Sequence, residues 1–263
     1  MTSDHGTRFD PGTFTPDAGA GRPLRMLAAQ SGVEMRLALR NGEQVLLTLL
    51  IPVVLLVGLT LLGIVPLPEP RVATVAPGVL ALAVMSTAFT GQAIALGFDR
   101  RYGVIRRLAA TALPRWLLVA GRLVAMLGVV VVQMVILVAI AVALGWRPAA
   151  AGIGWAVLLV LLGVAAFGSL GILVGGTLRA DVTLAVANLV WFVLLLAGGI
   201  VIPVGQLPGA IGAVAQYLPS GALAEGLRTA LATGTGPGLT PVLVLVGWTV
   251  VAGGIAVRAV RLR

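Results

Sequence analysis

Two uncharged apolar stretches, Val72 to Phe98 and Leu117 to Leu144 apart from one arginine, flank a dense charged cluster, Asp99-Arg100-Arg101-Tyr102-Gly103-Val104-Ile105-Arg106-Arg107. Each stretch has the length that spans a bilayer, and no soluble fold hides two such runs around so short a charged segment. The arginines mark that segment as a cytoplasmic loop. Val104, Ile105 and Leu108 give it an apolar side, and Gly103 interrupts the charge. It therefore reads either as a device that only sets orientation or as a docking element for a soluble partner.

Composition extends the argument to the whole chain. Its 263 residues are 59% hydrophobic and 10% charged, with a mean hydropathy of +1.08, too few polar side chains to cover a soluble globule. This is an all-α integral membrane protein. The excess of 18 basic over 9 acidic residues sits beside apolar spans, where it sets topology and not nucleic-acid binding. Every basic residue is arginine, which reads as the codon bias of a GC-rich bacterial genome.

Several activities are excluded by missing residue types. Without lysine the chain cannot build the phosphate-binding loop that ends in Gly-Lys-Ser/Thr, so it does not hydrolyse ATP by itself. Without cysteine, and with His5 alone in a polar tail, it has no thiol nucleophile, disulfide or Cys/His metal site. No imidazole stands near Ser169 in Gly168-Ser169-Leu170-Gly171 to activate it as a nucleophile. No catalytic or metal-binding residue is assigned, and the chain is not an enzyme on its own.

Residues 1–22 are rich in Gly, Pro, Thr and Asp and read as a disordered cytoplasmic tail. The rest, 23–263, reads as one transmembrane domain. A helix over 23–42 segregates Leu24, Leu27, Ala28, Met35, Ala38 and Leu39 from Arg25, Arg36 and Arg40, the pattern of an interfacial helix on the inner leaflet. Its alternative is a cytoplasmic extension of the first span. Six spans follow, at about 45–65, 72–98, 117–144, 153–178, 182–202 and 241–257. The arginine-rich side carries both termini and is cytoplasmic; only Arg71, Arg147 and Arg228 fall on the other. Between spans five and six, Pro203 to Thr240 is too apolar for an ordinary loop. Gly209 to Tyr217 and Ser220 to Leu231 are too short to cross, so they read as a hairpin of short helices on or re-entering the outer face.

No acid lies within any span: Asp99 and Asp181 sit at inner boundaries, Glu69 and Glu225 in outer segments. A proton-coupled relay cannot be drawn, so the energy source is external. Among the mild polar residues inside spans, Gln92 and Asn188 stand out, because an amide in hydrocarbon needs a helix interface or a cavity. The glycines of the fourth span, Gly163, Gly168, Gly171, Gly175 and Gly176, suit close helix packing. Pro52 and Pro77 either kink their helices or mark their ends.

These residues resemble a known family. Arg40-Asn41-Gly42-Glu43 before Ile51-Pro52, Ala76-Pro77-Gly78, the segment Phe98 to Leu108 followed by Ala110-Thr111-Ala112-Leu113-Pro114-Arg115, and the outer series Ile202-Pro203, Leu207-Pro208, Tyr217-Leu218-Pro219 and Glu225-Gly226-Leu227-Arg228 are similar, in order, to permease subunits of ABC-2 type transporters, especially the daunorubicin and drug-exporter branch. Arg101 and Ala112 depart from its pattern, standing where many relatives have an acid and a proline.

The resemblance implies six helices per subunit, with a cytoplasmic coupling helix between spans two and three. It implies a second permease, identical or related, and two separate ATPase subunits that hold the ATP and Mg; this chain binds no cofactor itself. Asp99, Arg100, Arg101, Tyr102, Gly103, Val104, Ile105, Arg106 and Arg107 would be the coupling residues. Thr48, Met85, Ser86, Phe89, Gln92, Asn188 and Trp191 would line the path of a hydrophobic or amphipathic cargo, such as a drug, lipid or glycolipid, across a bacterial plasma membrane. From the residues alone, a non-transporting scaffold that recruits a soluble partner or anionic lipid through the basic loop is the alternative.

Overall fold

The computed structural model describes residues 22–40, 42–63, 65–104 and 115–259. Those residues form helices and connecting turns, with no strand among them. In chain order the helices are α1 (Pro23–Arg40), α2 (Gly42–Leu61), α3 (Arg71–Met85), a π-helical turn (Ser86–Gly91), α4 (Gln92–Arg101), α5 (Arg115–Ala143), α6 (Ile153–Thr177), α7 (Ala180–Ala197), α8 (Gly209–Ala215), α9 (Pro219–Thr233) and α10 (Leu239–Ala259). The expected tail over 1–22 and the segment Ile105–Pro114 lie outside the described residues, except for Arg22.

Five helical stretches are long and apolar enough to cross a bilayer: Arg71–Arg101, Ala120–Ala143, Ala150–Thr177, Ala180–Ala197 and Leu239–Ala259. The first joins α3, the π turn and α4 into one continuous span. A shorter apolar stretch, Thr48–Leu61, belongs to α2. Two boundaries differ from the hydropathy reading. The first span was expected to reach residue 65, but α2 stops at Leu61, two residues before Gly63 at φ +60°. The fifth was expected to reach residue 202, but α7 stops at Ala197, where Gly198 caps it and Gly199 turns at φ +67°. In both places a glycine takes up a left-handed backbone that a continuing helix does not allow.

The second span is the centre of the bundle: every residue from Val75 to Ser86 is buried. Side-chain partners fix the directions of its neighbours. Thr87 with Gln133 and Asp99 with Arg122 set α5 antiparallel to it, and Ser86 with Trp191 and Arg101 with Asp181 do the same for α7. Against α6 the contact is parallel and is made by glycines. A Cβ on Gly171 would meet the carbonyl oxygens of Ala88 and Phe89, and one on Gly175 would strike the Ala93 carbonyl. The fourth-span glycines thus serve close packing, as their spacing suggests. These directions bring the end of α4, the start of α5, the end of α6 and the start of α7 to one side of the bundle.

The apolar outer segment is not a surface loop. In α9, Pro219 to Ala224, Gly226 to Arg228, Ala230 and Leu231 are buried, and Leu223 packs on Gly163. Gly163 lies ten residues beyond the start of α6, about 15 Å along its axis. At 15 residues α9 is too short to cross, and it packs into the bundle against α6 without spanning. Helix α8, by contrast, exposes Ile211 and Val214.

Helix α1 runs Pro23–Arg40, short of the expected 42, where Gly42 already opens α2, and it has a different inward side. It runs lengthwise beside α5, with Gln30 and Ser31 at Gly121 and Met35 at Gly128. Of the six apolar residues expected on one face, only Leu27 and Met35 are partly covered, while Leu24 is 80% exposed. The covered side centres on Ser31, whose hydroxyl donates to the Leu27 carbonyl at 2.8 Å. That back-bond satisfies the hydroxyl, so a serine can face a glycine-lined helix.

Candidate functional site in the second span

Two polar bands lie along the second span, one mid-way and one at its C-terminal end, the inner end in the orientation expected from the arginines. The middle band begins in the π turn, which holds Ser86, Thr87 and Thr90 together. A π turn interrupts the i→i−4 bonding register, a feature frequent at functional positions. Trp191 Nε1 of α7 donates to Ser86 Oγ at 2.9 Å, and Thr87 Oγ1 donates to Gln133 Oε1 of α5 at 2.7 Å. The band therefore ties three helices at mid-span by neutral hydrogen bonds. Thr90 Oγ1 is buried there with no partner among the described residues.

Not all the expected path residues meet in this band. Ser86 and Trp191 do. Met85 and Phe89 are almost wholly buried within the bundle, and Gln92 is buried with its Cβ beside Gly171. Thr48 lies on α2, partly covered. Asn188 is exposed, one turn before Trp191 on α7, among the exposed Leu184, Leu189 and Phe192. Gln133 was the residue missed: as one amide among apolar neighbours it carried the same signal as Gln92, but its partner stands 46 residues away.

The inner band is ionic. Asp99 Oδ2 is 2.7 Å from Arg122 Nη2 of α5, and Arg101 Nη1 is 2.6 Å from Asp181 Oδ1 of α7. Arg100 Nη1 donates to the carbonyls of Gly175 at 3.0 Å and Leu178 at 3.2 Å, closing the C-terminal end of α6. Those carbonyls carry the negative end of the helix dipole, so a guanidinium is well matched to them. The Arg101–Asp181 pair is open to solvent and contributes little energy; Asp99–Arg122 is more enclosed. Three consecutive residues thus fasten the inner end of the second span to α5, α6 and α7. Tyr102 stacks on Phe98, with ring centroids 6.1 Å apart, and is 64% exposed. Gly103 turns at φ +66° and Val104 follows, both partly covered. Ile105, Arg106 and Arg107 lie outside the described residues.

A third polar group sits at the outer end. Arg228 of α9 is 8% exposed and donates to the carbonyls of Gly199 and Ile200 at 2.7 Å each, to Thr74 at 3.3 Å, and to the Glu225 carboxylate at 3.2 Å. It joins the re-entrant helix to the end of α7 and the start of α3.

No cluster of three metal-ligating side chains occurs among the described residues. The profile of the ABC-2 type transporter family matches residues 31–232, from α1 through α9. No curated protein matches the chain.

Proposed function

Because the chain belongs to the ABC-2 type transporter family, it is a multi-pass membrane permease that works with an ATP-binding subunit, and we propose that it exports a hydrophobic or amphipathic molecule across a bacterial plasma membrane. In this reading α2 completes six spans, both termini are cytoplasmic, and two ATPases, carrying the ATP and Mg, each dock on the segment from Asp99 to Arg107. The observation that supports it best is the inner band. Asp99, Arg100 and Arg101 reach three other helices, so a push on the segment that follows is shared by α4, α5, α6 and α7 at once. Their charges are used inside the permease, which leaves Tyr102, Val104, Ile105, Arg106 and Arg107 to meet the ATPase.

Asn188 favours a second permease beside the first. An amide turned toward acyl chains is costly, whereas the same amide across a two-fold axis supplies a donor and an acceptor to its mate. The cargo path would then run between the two permeases, past α7 and the middle band, with Gln92, Ser86 and Trp191 reached when the second span moves. Reconstituting the permease with its ATPase tests the coupling: Arg106→Glu/Arg107→Glu should reduce cargo-stimulated ATP hydrolysis and transport at least tenfold while the permease still inserts. Normal transport at normal expression would remove the docking role and favour a scaffold.

A further inference from the structure

The π turn of the second span holds one residue more than the α turn it replaces. Where a helix hydroxyl of this chain bonds its own helix, it closes on the carbonyl four residues back: Ser31 on Leu27, Thr177 on Leu173, Thr233 on Thr229 and Thr249 on Leu245. Thr90 makes no such bond, although its Oγ1 is buried. The two other buried threonine hydroxyls without a partner among the described residues, Thr60 and Thr183, lie in the last turn of α2 and the first of α7. Thr90 is thus the mid-helix case, in the turn where the fourth carbonyl back is out of register.

The two halves that meet at this turn are held unequally. Helix α3 is buried from Val75 through Met85, with Gly78 so close to the Ile200 carbonyl that a Cβ would strike it, and with Thr74 bonded to Arg228. Helix α4 is held by glycine contacts, Gly97 on Thr183 of α7 and Gly175 of α6 on Ala93, and by the inner band, whose Arg101–Asp181 pair is open to solvent. Closing the turn into α register would rotate α4 by about 100° and advance it by about 1.5 Å, so that each residue takes the place its successor held. Arg100 would then stand where Arg101 faces Asp181, and that ion pair survives with a new partner. Asp99 would come to the carbonyls of Gly175 and Leu178, which repel it. Leu96 would enter the place of Gly97, where a Cβ already lies 3.3 Å from Thr183. The shifted register therefore requires α4 to separate from α6 and α7, and the π register is the resting one.

We propose that the π turn is a one-residue register switch. Its spare residue lets α4 shift by one position while α3 stays fixed, freeing the end of the span from α5, α6 and α7, and Thr90 gains the Ser86 carbonyl in the shifted state. The switch rests on the ATP-driven reading above only for what drives the shift.

The isolated chain tests it, because it has no cysteine of its own. Gly97→Cys/Thr183→Cys brings two Cβ atoms to 3.3 Å, near the spacing of a disulfide, and reads the resting register. Leu96→Cys/Thr183→Cys reads the shifted one. Each is reconstituted in phosphatidylcholine vesicles and oxidised with copper phenanthroline, and disulfide formation is followed as loss of maleimide labelling. With the rest of the chain unchanged, both pairs should form, the second more slowly. Deleting Thr90 removes the spare residue, so that variant should fold, keep the first disulfide and lose the second. Thr90→Val cannot gain the new bond; it should slow the second pair by about fivefold, the worth of one hydrogen bond, and leave the first unchanged. The proposal is overturned if the second pair never forms, if it forms equally fast without Thr90, or if the deletion abolishes the first. None of these outcomes depends on an ATPase, whose absence would overturn only the reading above.

Discussion

Arg228 shows how this chain handles a charge in an apolar setting. Its guanidinium is almost fully enclosed, yet three carbonyls and one carboxylate surround it. A buried charge is tolerable when its donors are used in this way, and removing it strands the acceptors. Arg228→Leu should lower stability by about 2–3 kcal/mol, because the Gly199 and Ile200 carbonyls lose their donor with no water to replace it. Thermal unfolding in detergent measures this, and a melting temperature equal to wild type would show that α9 is held by packing alone. Asn188 is the opposite case, an exposed amide with apolar neighbours. If it marks the two-fold contact, Asn188→Cys in this cysteine-free chain should form a disulfide-linked dimer in native membranes under mild oxidation. A band that stays monomeric on a non-reducing gel would place Asn188 away from the axis.

At the scale of helices, the glycines of α6 set how closely the second span can approach. Gly175→Ala puts a methyl onto the Ala93 carbonyl, and the overpacking should cost about 1–3 kcal/mol; Gly247→Ala, on open surface, should stay within about 0.5 kcal/mol of wild type. Alanine is the better helix former at both positions, so a loss shared by both would show that the cost does not come from the Ala93 contact. The long helices were legible in the sequence because the length of an uncharged run is a one-dimensional property, and it located the cores of the five apolar stretches. Faces were less so. In a membrane both lipid and protein interior are apolar, so the wheel of α1 could not tell that Ser31, not Leu24, meets α5. Nor could it find the partners of Arg100, whose carbonyls stand 75 and 78 residues away. Gln92 and Asn188 were both visible as polar residues in spans, but only the fold separates the buried amide from the exposed one.

For the whole molecule, the second span joins the three polar regions. Arg228 grips its outer start, hydrogen bonds to Trp191 and Gln133 hold its middle, and Asp99 to Arg101 fasten its inner end. A span bonded at three depths, with a π turn between its halves, suits a part that carries movement from one face of the membrane to the other. That role requires a partner to supply the movement, since the chain has no lysine with which to build a phosphate-binding loop of its own. The most direct measurement is to isolate the tagged chain from its native membrane in mild detergent and identify its companions by mass spectrometry. The account predicts a co-purifying protein with a Gly-Lys-Ser/Thr phosphate-binding loop, in equal number to the permeases and lost in Arg106→Glu/Arg107→Glu. Reproducible isolation of the intact chain without any such protein would contradict it.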